Sequence, residues 1–376
     1  MTPGHDLSMS TTPSSSSLPW RMTSALVMGL TASLSRVFLY GLNSVEVTGL
    51  QRFLDILDRR RDVDKRQRGL ITVSNHISII DDPLMWGVLP FRYGFDPSNH
   101  RWGLGAHDIC FKNGPLGAFF FSGQVLPTHR LQHSPRGGLF QPTVPQVIRL
   151  LSSQPFIQPP IQVAENAIDI PDPFTTGGLT FTTTGLDKFA APSVYAQNRH
   201  SWVHVFPEAC VHQHPKMSMR YFKWGISRMI LESEPMPDIL PIFIDGTQRV
   251  MPEDRSFPRF IPRFGIKFRM AFGELLDTEK TFGDLRARWQ DLVRKESKTP
   301  RVMGDLTDEL RYGKEAVKLR IEVARRVREE VLKVRRNMGY PDEEPLGFEL
   351  AETWAREQGS GEFKSNVDDS LVNKKQ

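Results

Sequence analysis

The segment Ser74-Asn75-His76-Ile77-Ser78-Ile79-Ile80-Asp81-Asp82-Pro83 holds the residues best suited to chemistry, and it follows the apolar run LITV directly. An imidazole with a nearby carboxylate is the material of a general base. The carboxylate fixes the ring tautomer and stabilises the imidazolium, while the free nitrogen takes a proton from a hydroxyl. No nucleophilic side chain is needed if that hydroxyl belongs to the substrate. Among 10 histidines, His76 alone has an Asp five residues on, Asp81. That offset does not place two side chains on one helix face, so a turn must fold the chain back. Asp82 suits a helix N-cap and Pro83 the first helical position. This places His76 in a strand-to-helix turn, beside a helix N-terminus that favours a phosphate or an oxyanion. A His-x-x-x-x-Asp spacing is common by chance, and a lone histidine is more often structural. The placement after an apolar strand and before Asp-Pro favours the catalytic reading.

Three further groups accompany it. Phe206-Pro207-Glu208 follows the strand-like run WVHVF, and the carboxyl ends of strands are where α/β sheets put ligand contacts. Glu208 there suits a glycerol hydroxyl or a basic group, against the plainer reading of a surface acid. Arg130 follows QVLP and is a good bidentate phosphate ligand, against that of a solvated arginine. Residues 217–231 (MSMRYFKWGISRMIL) mix Arg220, Lys223 and Arg228 with Tyr221, Phe222, Trp224 and other apolar residues. The mixture suits an interfacial helix whose cations reach the headgroups, or a core helix with solvated charges.

These residues need elements to position them. Strands are expected at 45–48, 70–73, 102–106, 124–127, 202–206, 239–244 and 266–272. Helices are expected at 20–40, 51–59, 83–89, 115–121, 143–152, 222–233 and 281–297. Strands alternating with helices argue for an α/β fold. Residues 153–200 break the pattern with QPFIQPPIQ, IPDPFTTGG and TFTTTG and read as an inserted surface loop. The basic run RRRDVDKRQR reads as a solvated loop. Beyond residue 300, Val317, Ile321, Ala324, Val327, Val331, Val334 and Met338 form a helical stripe. Residues 311–336 around it carry ten Lys/Arg against four Glu. Such a basic amphipathic helix suits an anionic membrane or packing on the domain.

Composition narrows the classes. The 376 residues include 39% apolar residues, enough for one sizeable domain. A net charge of +5 favours anionic partners. Nucleic acid is not expected, because no helix-turn-helix or aromatic-basic RNA signature is present. The two cysteines, Cys110 and Cys210, form no metal or disulfide spacing, and neither metal nor cofactor is expected. No clean run of 18 apolar residues occurs, so no spanning helix is expected. Residues 7–45 contain no acid and are rich in Ser and Thr, with Arg21 and Arg36. This is compatible with mitochondrial targeting or membrane insertion, or with a disordered tail and an ordinary helix.

Taken in order, Asn75-His76-x-Ser78-x-x-Asp81-Asp82-Pro83, Arg130, Phe206-Pro207-Glu208 and Ile239-Leu240-Pro241 resemble the glycerophospholipid acyltransferase superfamily. Leu84-x-Trp86-Gly87 and Arg220-Tyr221-Phe222-Lys223-Trp224-Gly225-Ile226 resemble its tafazzin branch. The resemblance spans about residues 20–275 without the insertion. It implies a single α/β acyltransferase domain with a central mixed sheet flanked by helices and monotopic membrane attachment. The implied activity is coenzyme-A-independent transacylation that remodels cardiolipin, using monolysocardiolipin and phosphatidylcholine, in mitochondria, on the outer and inner membranes facing the intermembrane space. On this chain it makes His76 and Asp81 the catalytic dyad. Asn75, Ser78, Asp82, Arg130, Phe206, Pro207 and Glu208 become substrate contacts, and Arg220, Tyr221, Phe222, Lys223 and Trp224 membrane contacts. The family usually has Gly after Phe-Pro-Glu; here Ala209 stands there, and a methyl crowds the backbone if φ is positive. An acyl-coenzyme-A-dependent lysophospholipid or glycerol-3-phosphate acyltransferase would share the dyad. A non-catalytic membrane scaffold would not need it. The expected organisation is a disordered tail over 1–19, the acyltransferase domain over 20–300, the basic helix over 301–340 and a polar tail over 341–376.

Overall fold

A computed structural model describes residues 18–131, 133–134, 137–153, 180–181, 189–190, 199–255, 257–258, 260–296, 306–344, 347–351 and 353. Most of the expected tail, insertion and terminal segment therefore lies outside the described residues.

The chain opens with helix α1 (Leu18–Leu42), strand β1 (Ser44–Thr48) and helix α2 (Leu50–Arg59). Strand β2 (Leu70–Val73) leads into the short helices α3 (Asp81–Met85) and α4 (Phe91–Gly94). Next come β3 (Gly103–Ala106), α5 (His107–Cys110), α6 (Gly114–Ser122), β4 (Val125–Thr128) and α7 (Thr143–Leu151). Two-residue strands β5 (Thr180–Phe181) and β6 (Phe189–Ala190) pair antiparallel. Then follow β7 (Trp202–Val205), α8 (Gly225–Glu232), β8 (Asp238–Asp245), α9 (Thr247–Val250) and β9 (Lys267–Phe272). Helices α10 (Thr278–Glu296), α11 (Asp308–Tyr312) and α12 (Lys314–Asn337) follow as the last of the elements among the described residues.

The sheet order is β1-β9-β8-β2-β7. Only β8 and β9 run antiparallel; β1–β9, β8–β2 and β2–β7 are parallel, so the sheet is mixed. Strand β2 is an interior strand, paired on both sides, between β8 and β7. All four of its residues are buried, as the unbroken apolar run of a two-sided strand requires. A parallel bridge from Trp102 to Val203 attaches the parallel pair β3–β4 beyond β7. The carboxyl ends of β2, β7, β8, β3 and β4 therefore share one end of the sheet.

Two helical groups flank the strands. One is α12 against β8 and β9, with α8, α10 and α11 around it. The expected stripe on α12 forms in part. Ala324, Val327, Val331 and Val334 are buried, but Ile321 is exposed and Leu319 and Val323 take its place. Arg320, Arg328 and Arg335 are buried on the same face. They are tolerated because each guanidinium donates to backbone carbonyls. Thus α12 is part of the domain, not a separate basic helix. The segment after it is not simply a polar tail either: Glu343 is buried, and Phe348 packs on Tyr221.

The other group is α1 against α3, α4 and α6. Gly87 permits the approach, since a Cβ there would lie 2.7 Å from the Arg36 backbone nitrogen. With 25 residues, α1 is long and apolar enough to cross a membrane by length and composition. Counting only uninterrupted apolar residues missed this, because serines, threonines and glycines dilute the run.

Candidate active site

Each side of the β2 carboxyl end is pinned before the chain turns. The Ser74 N–H donates to the Val205 carbonyl on β7. On the other side the Asn75 amide imitates a peptide group. Its Nδ2 donates to the Ile244 carbonyl and its Oδ1 accepts from the Ile244 N–H, both at 2.9 Å. Asn75 is thus buried, and its amide is occupied by β8, extending the sheet.

His76 follows with both its backbone groups held. Its N–H donates to Glu208 Oε1 at 2.8 Å, and its carbonyl accepts from the His212 N–H at 2.8 Å. The imidazole Nδ1 lies 2.9 Å from Asp81 Oδ2. That oxygen also accepts the N–H groups of Ile77 at 2.6 Å and Ser78 at 2.8 Å, which fold the chain back within five residues. The other oxygen, Oδ1, accepts from Thr247 Oγ at 2.5 Å. Asp81 is fully buried and acceptor-only toward these partners, so Nδ1 carries the proton. The Nε2 nitrogen is then the basic one, and the side chain is 21% exposed. Phe206 stacks on the imidazole at 4.4 Å and excludes water from that face.

Thr247 was not foreseen. It arrives from β8, after Gly246 at φ 115°, where a Cβ would meet the Lys267 carbonyl at 2.6 Å. A Gly-Thr pair after a strand carries no signal that it will meet a residue 166 positions earlier.

Several expected contacts are corrected. Asp81 is the first residue of α3 and Ile80 the N-cap, so Asp82 does not cap the helix. Asp82 instead takes Arg101 Nε at 3.1 Å and Trp86 Nε1 at 3.3 Å. Its desolvation opposes ionisation, yet Arg101, His204 and the Trp86 N–H hold its carboxyl below the usual range. The Ile77 and Ser78 N–H groups are spent on Asp81, and at the start of α3 the Asp81 and Leu84 N–H groups donate to the Ser78 and Ile80 carbonyls. Ser78 is fully buried, and its hydroxyl meets no partner among the described residues. Pro207 is buried, its carbonyl taking the Lys223 N–H.

Glu208 is buried too. Its two oxygens accept the backbone N–H groups of His76 and Arg220, each at 2.8 Å. Through the first of these bonds it positions the histidine. Burial pushes its carboxyl up to about 7, against the pull of those two N–H bonds. The neighbouring Ala209 has φ 56°, the left-handed region that a glycine would occupy without strain.

Arg130 lies just beyond β4, at the same end of the sheet as His76. Its guanidinium is engaged by Asp108, Nε to Oδ1 at 2.9 Å with a second contact beside it. Arg220, Tyr221 and Phe222, expected at a membrane, are buried. Arg220 donates to Cys210 Sγ at 3.0 Å, Tyr221 packs on Phe348, and Phe222 belongs to the main core. Lys223 and Trp224 are only partly exposed. The two arginines that suggested an interfacial helix are satisfied inside; Arg228 pairs with Glu232 at 2.7 Å.

No family model matches the chain. Tafazzin of Saccharomyces cerevisiae is 35% identical over 365 residues, 94% of this chain and 88% of that protein. Tafazzin of Drosophila melanogaster is 29% identical, covering 72% of this chain and 55% of that protein. An N-acylphosphatidylethanolamine synthase of Arabidopsis thaliana is 30% identical over 55% of this chain and 56% of its own length. Near-full-length similarity at that level, around a His76–Asp81 pair at a strand end, assigns the family: the chain belongs to the tafazzin family of acyltransferases.

Proposed function

We propose that this protein is a phospholipid–lysophospholipid transacylase that remodels cardiolipin acyl chains on a mitochondrial membrane facing the intermembrane space. The observation that carries the chemistry is the His76 imidazole, locked by Asp81 on Nδ1 and accessible on its other side. His76 Nε2 takes the proton of a lysolipid hydroxyl. That oxygen attacks the ester carbonyl carbon of a donor phospholipid and gives a tetrahedral oxyanion. Collapse breaks the donor ester bond, and the departing lysolipid oxygen takes the proton back from His76. No covalent bond to the enzyme forms. Arg130 exchanges Asp108 for a lipid phosphate, a swap of one bidentate anion for another.

Membrane docking falls to α1. Its exposed Met22, Leu26, Leu30, Leu34 and Val37 are spaced four, four, four and three residues apart along one face. Arg36 is turned inward, donating to the Val88 and Leu89 carbonyls at 3.0 and 3.1 Å. The opposite side of α1 holds Trp20, Ser24, Gly29, Ser35 and Leu39 against the domain, contacts that a membrane-crossing helix would give up. Such a helix lies in one leaflet. The transacylase test mixes purified protein, acyl-labelled phosphatidylcholine and monolysocardiolipin, without coenzyme A. Label in cardiolipin is expected. Transfer that appears only when acyl-coenzyme A replaces the phospholipid donor would overturn the reading.

A further inference from the structure

A long loop at the histidine end of the sheet joins α9 to β9. Strand β8 ends beside β2, α9 brings Thr247 to Asp81, and β9 starts where β8 stops. The loop over 251–266 is therefore built on the active site. In it Phe257, Phe260, Ile261 and Phe264 are 88, 75, 54 and 72% exposed. Four large apolar side chains presented within eight residues are a surface that water alone does not stabilise. Among the described residues, hydrogen bonds fasten the loop at its two ends. The Gln213 amide donates to the Met251 carbonyl at 3.1 Å, and the Arg263 N–H donates to the Val250 carbonyl at 2.9 Å.

We infer that this loop is a second membrane-inserting element, which sinks its aromatic tip into a leaflet containing anionic phospholipid and sets the tilt of the active site on it. Two observations select a bilayer as the occupant. First, the loop is continuous with α1: the Gly265 N–H donates to the Leu42 carbonyl at 2.9 Å, at the end of the helix whose apolar face is exposed. Second, the flanks are cationic. Residues 249–267 carry Arg249, Arg255, Arg259, Arg263 and Lys267 against Glu253 and Asp254. Aromatic residues among arginines match the boundary between acyl chains and headgroups. Ile79, within the His76–Asp81 turn, is itself exposed. The mouth of the site thus lies in the same apolar end, and lipid reaches His76 without passing through water. The inference rests on the one-leaflet docking proposed for α1 and extends it to orientation.

The test uses the full chain with Cys110→Ser and Cys210→Ser, a single spin label at Phe260→Cys or at Leu34→Cys, and vesicles of phosphatidylcholine with roughly one fifth anionic phospholipid. Collision rates with oxygen and with a water-soluble nickel chelate report depth. Both labels are expected in hydrocarbon. A label at 260 in water with that at 34 in lipid overturns this inference and leaves docking by α1. A label at 260 shielded from both reagents and broadened by a second spin means that another copy covers the loop, which also overturns it. Both labels in water remove the docking itself. In parallel, the variant Phe257→Ser/Phe260→Ser/Phe264→Ser should transfer acyl groups about tenfold more slowly in vesicles and at the original rate in detergent micelles. An unchanged vesicle rate, or an equal loss in micelles, overturns the inference.

Discussion

Replacing Thr247 by Val keeps the shape of the side chain and removes one hydroxyl. In the structure that hydroxyl is the donor to Asp81 Oδ1, at 2.5 Å in a fully buried setting. A hydrogen bond to a charged group contributes about 1.5–3 kcal/mol. If all of it were expressed in the transition state, the rate would fall about 10–100-fold, since 1.4 kcal/mol is a factor of ten. The three N–H donors on Oδ2 remain and keep the carboxylate facing His76. The lower end of that range, about tenfold in kcat, is therefore expected, with KM little changed because Thr247 touches no lipid. Thr247→Ser restores the donor and should recover most of the rate. The assay is acyl transfer from labelled phosphatidylcholine to monolysocardiolipin in detergent micelles, with thermal unfolding in parallel. A Val variant as fast as the original chain would show that the bond does not orient Asp81. A Ser variant as slow as the Val variant would show that shape at position 247 matters and the hydroxyl does not.

His76→Ala should reduce transfer by about 10²–10⁴-fold while vesicle binding is kept; a tenth of the rate remaining in the purified variant would remove it from the base role. Asp81→Asn should be similarly slow, because an amide cannot stabilise the imidazolium, and a kcat within a factor of three or so of the original would contradict the dyad. Ala209→Gly relieves left-handed strain of about 1–2 kcal/mol and adds about 0.4–1 kcal/mol of unfolded-chain freedom. The folded state should gain about 0.5–1 kcal/mol, and a lower urea midpoint would refute the strain argument. Glu208 holds its proton to about pH 7 when folded and to about 4.5 when unfolded, so the folded chain binds more protons between those values. Its contribution to stability is present below pH 4.5 and is lost as pH rises through 7. Glu208→Gln should flatten that decline, read as the difference between urea midpoints at pH 5 and pH 7.5.

Local pattern was enough to place most elements. The run LITV is a central strand, and residues 143–152 form α7 within one residue, because in both the periodicity and the burial agree. The pairing of His76 with Asp81 was legible because the bonds that fold the chain back, from Nδ1 of His76 and the N–H groups of Ile77 and Ser78 to Asp81, are local; the bonds to Glu208, His212 and Thr247 were not. What was not legible depends on distant partners. Asn75 looked like a substrate ligand because nothing in its neighbourhood says that Ile244 will occupy both ends of its amide. Glu208 was read as a substrate contact, and its tie to the histidine backbone was hidden because its two donors come from residues 76 and 220. The segment 217–231 misled in the opposite sense. Its cations imply a wet face only if no carbonyl or carboxylate inside can take them, and here Glu232, Cys210 and the Leu139 carbonyl do.

The buried arginines of α12 bear on the order in which the enzyme becomes competent. Arg328 grips the carbonyls of Met219 and Arg220, and Arg335 those of Lys216 and Met217. The same stretch offers the Arg220 N–H to Glu208, which in turn holds the His76 N–H. The support of the histidine thus runs to a helix near the end of a 376-residue chain. Chains fold from the amino end as they are made, so α1 is available to a membrane long before α12 exists. A chain in which α12 has not yet docked leaves the histidine turn without this support, so acyl transfer is expected to wait for that helix.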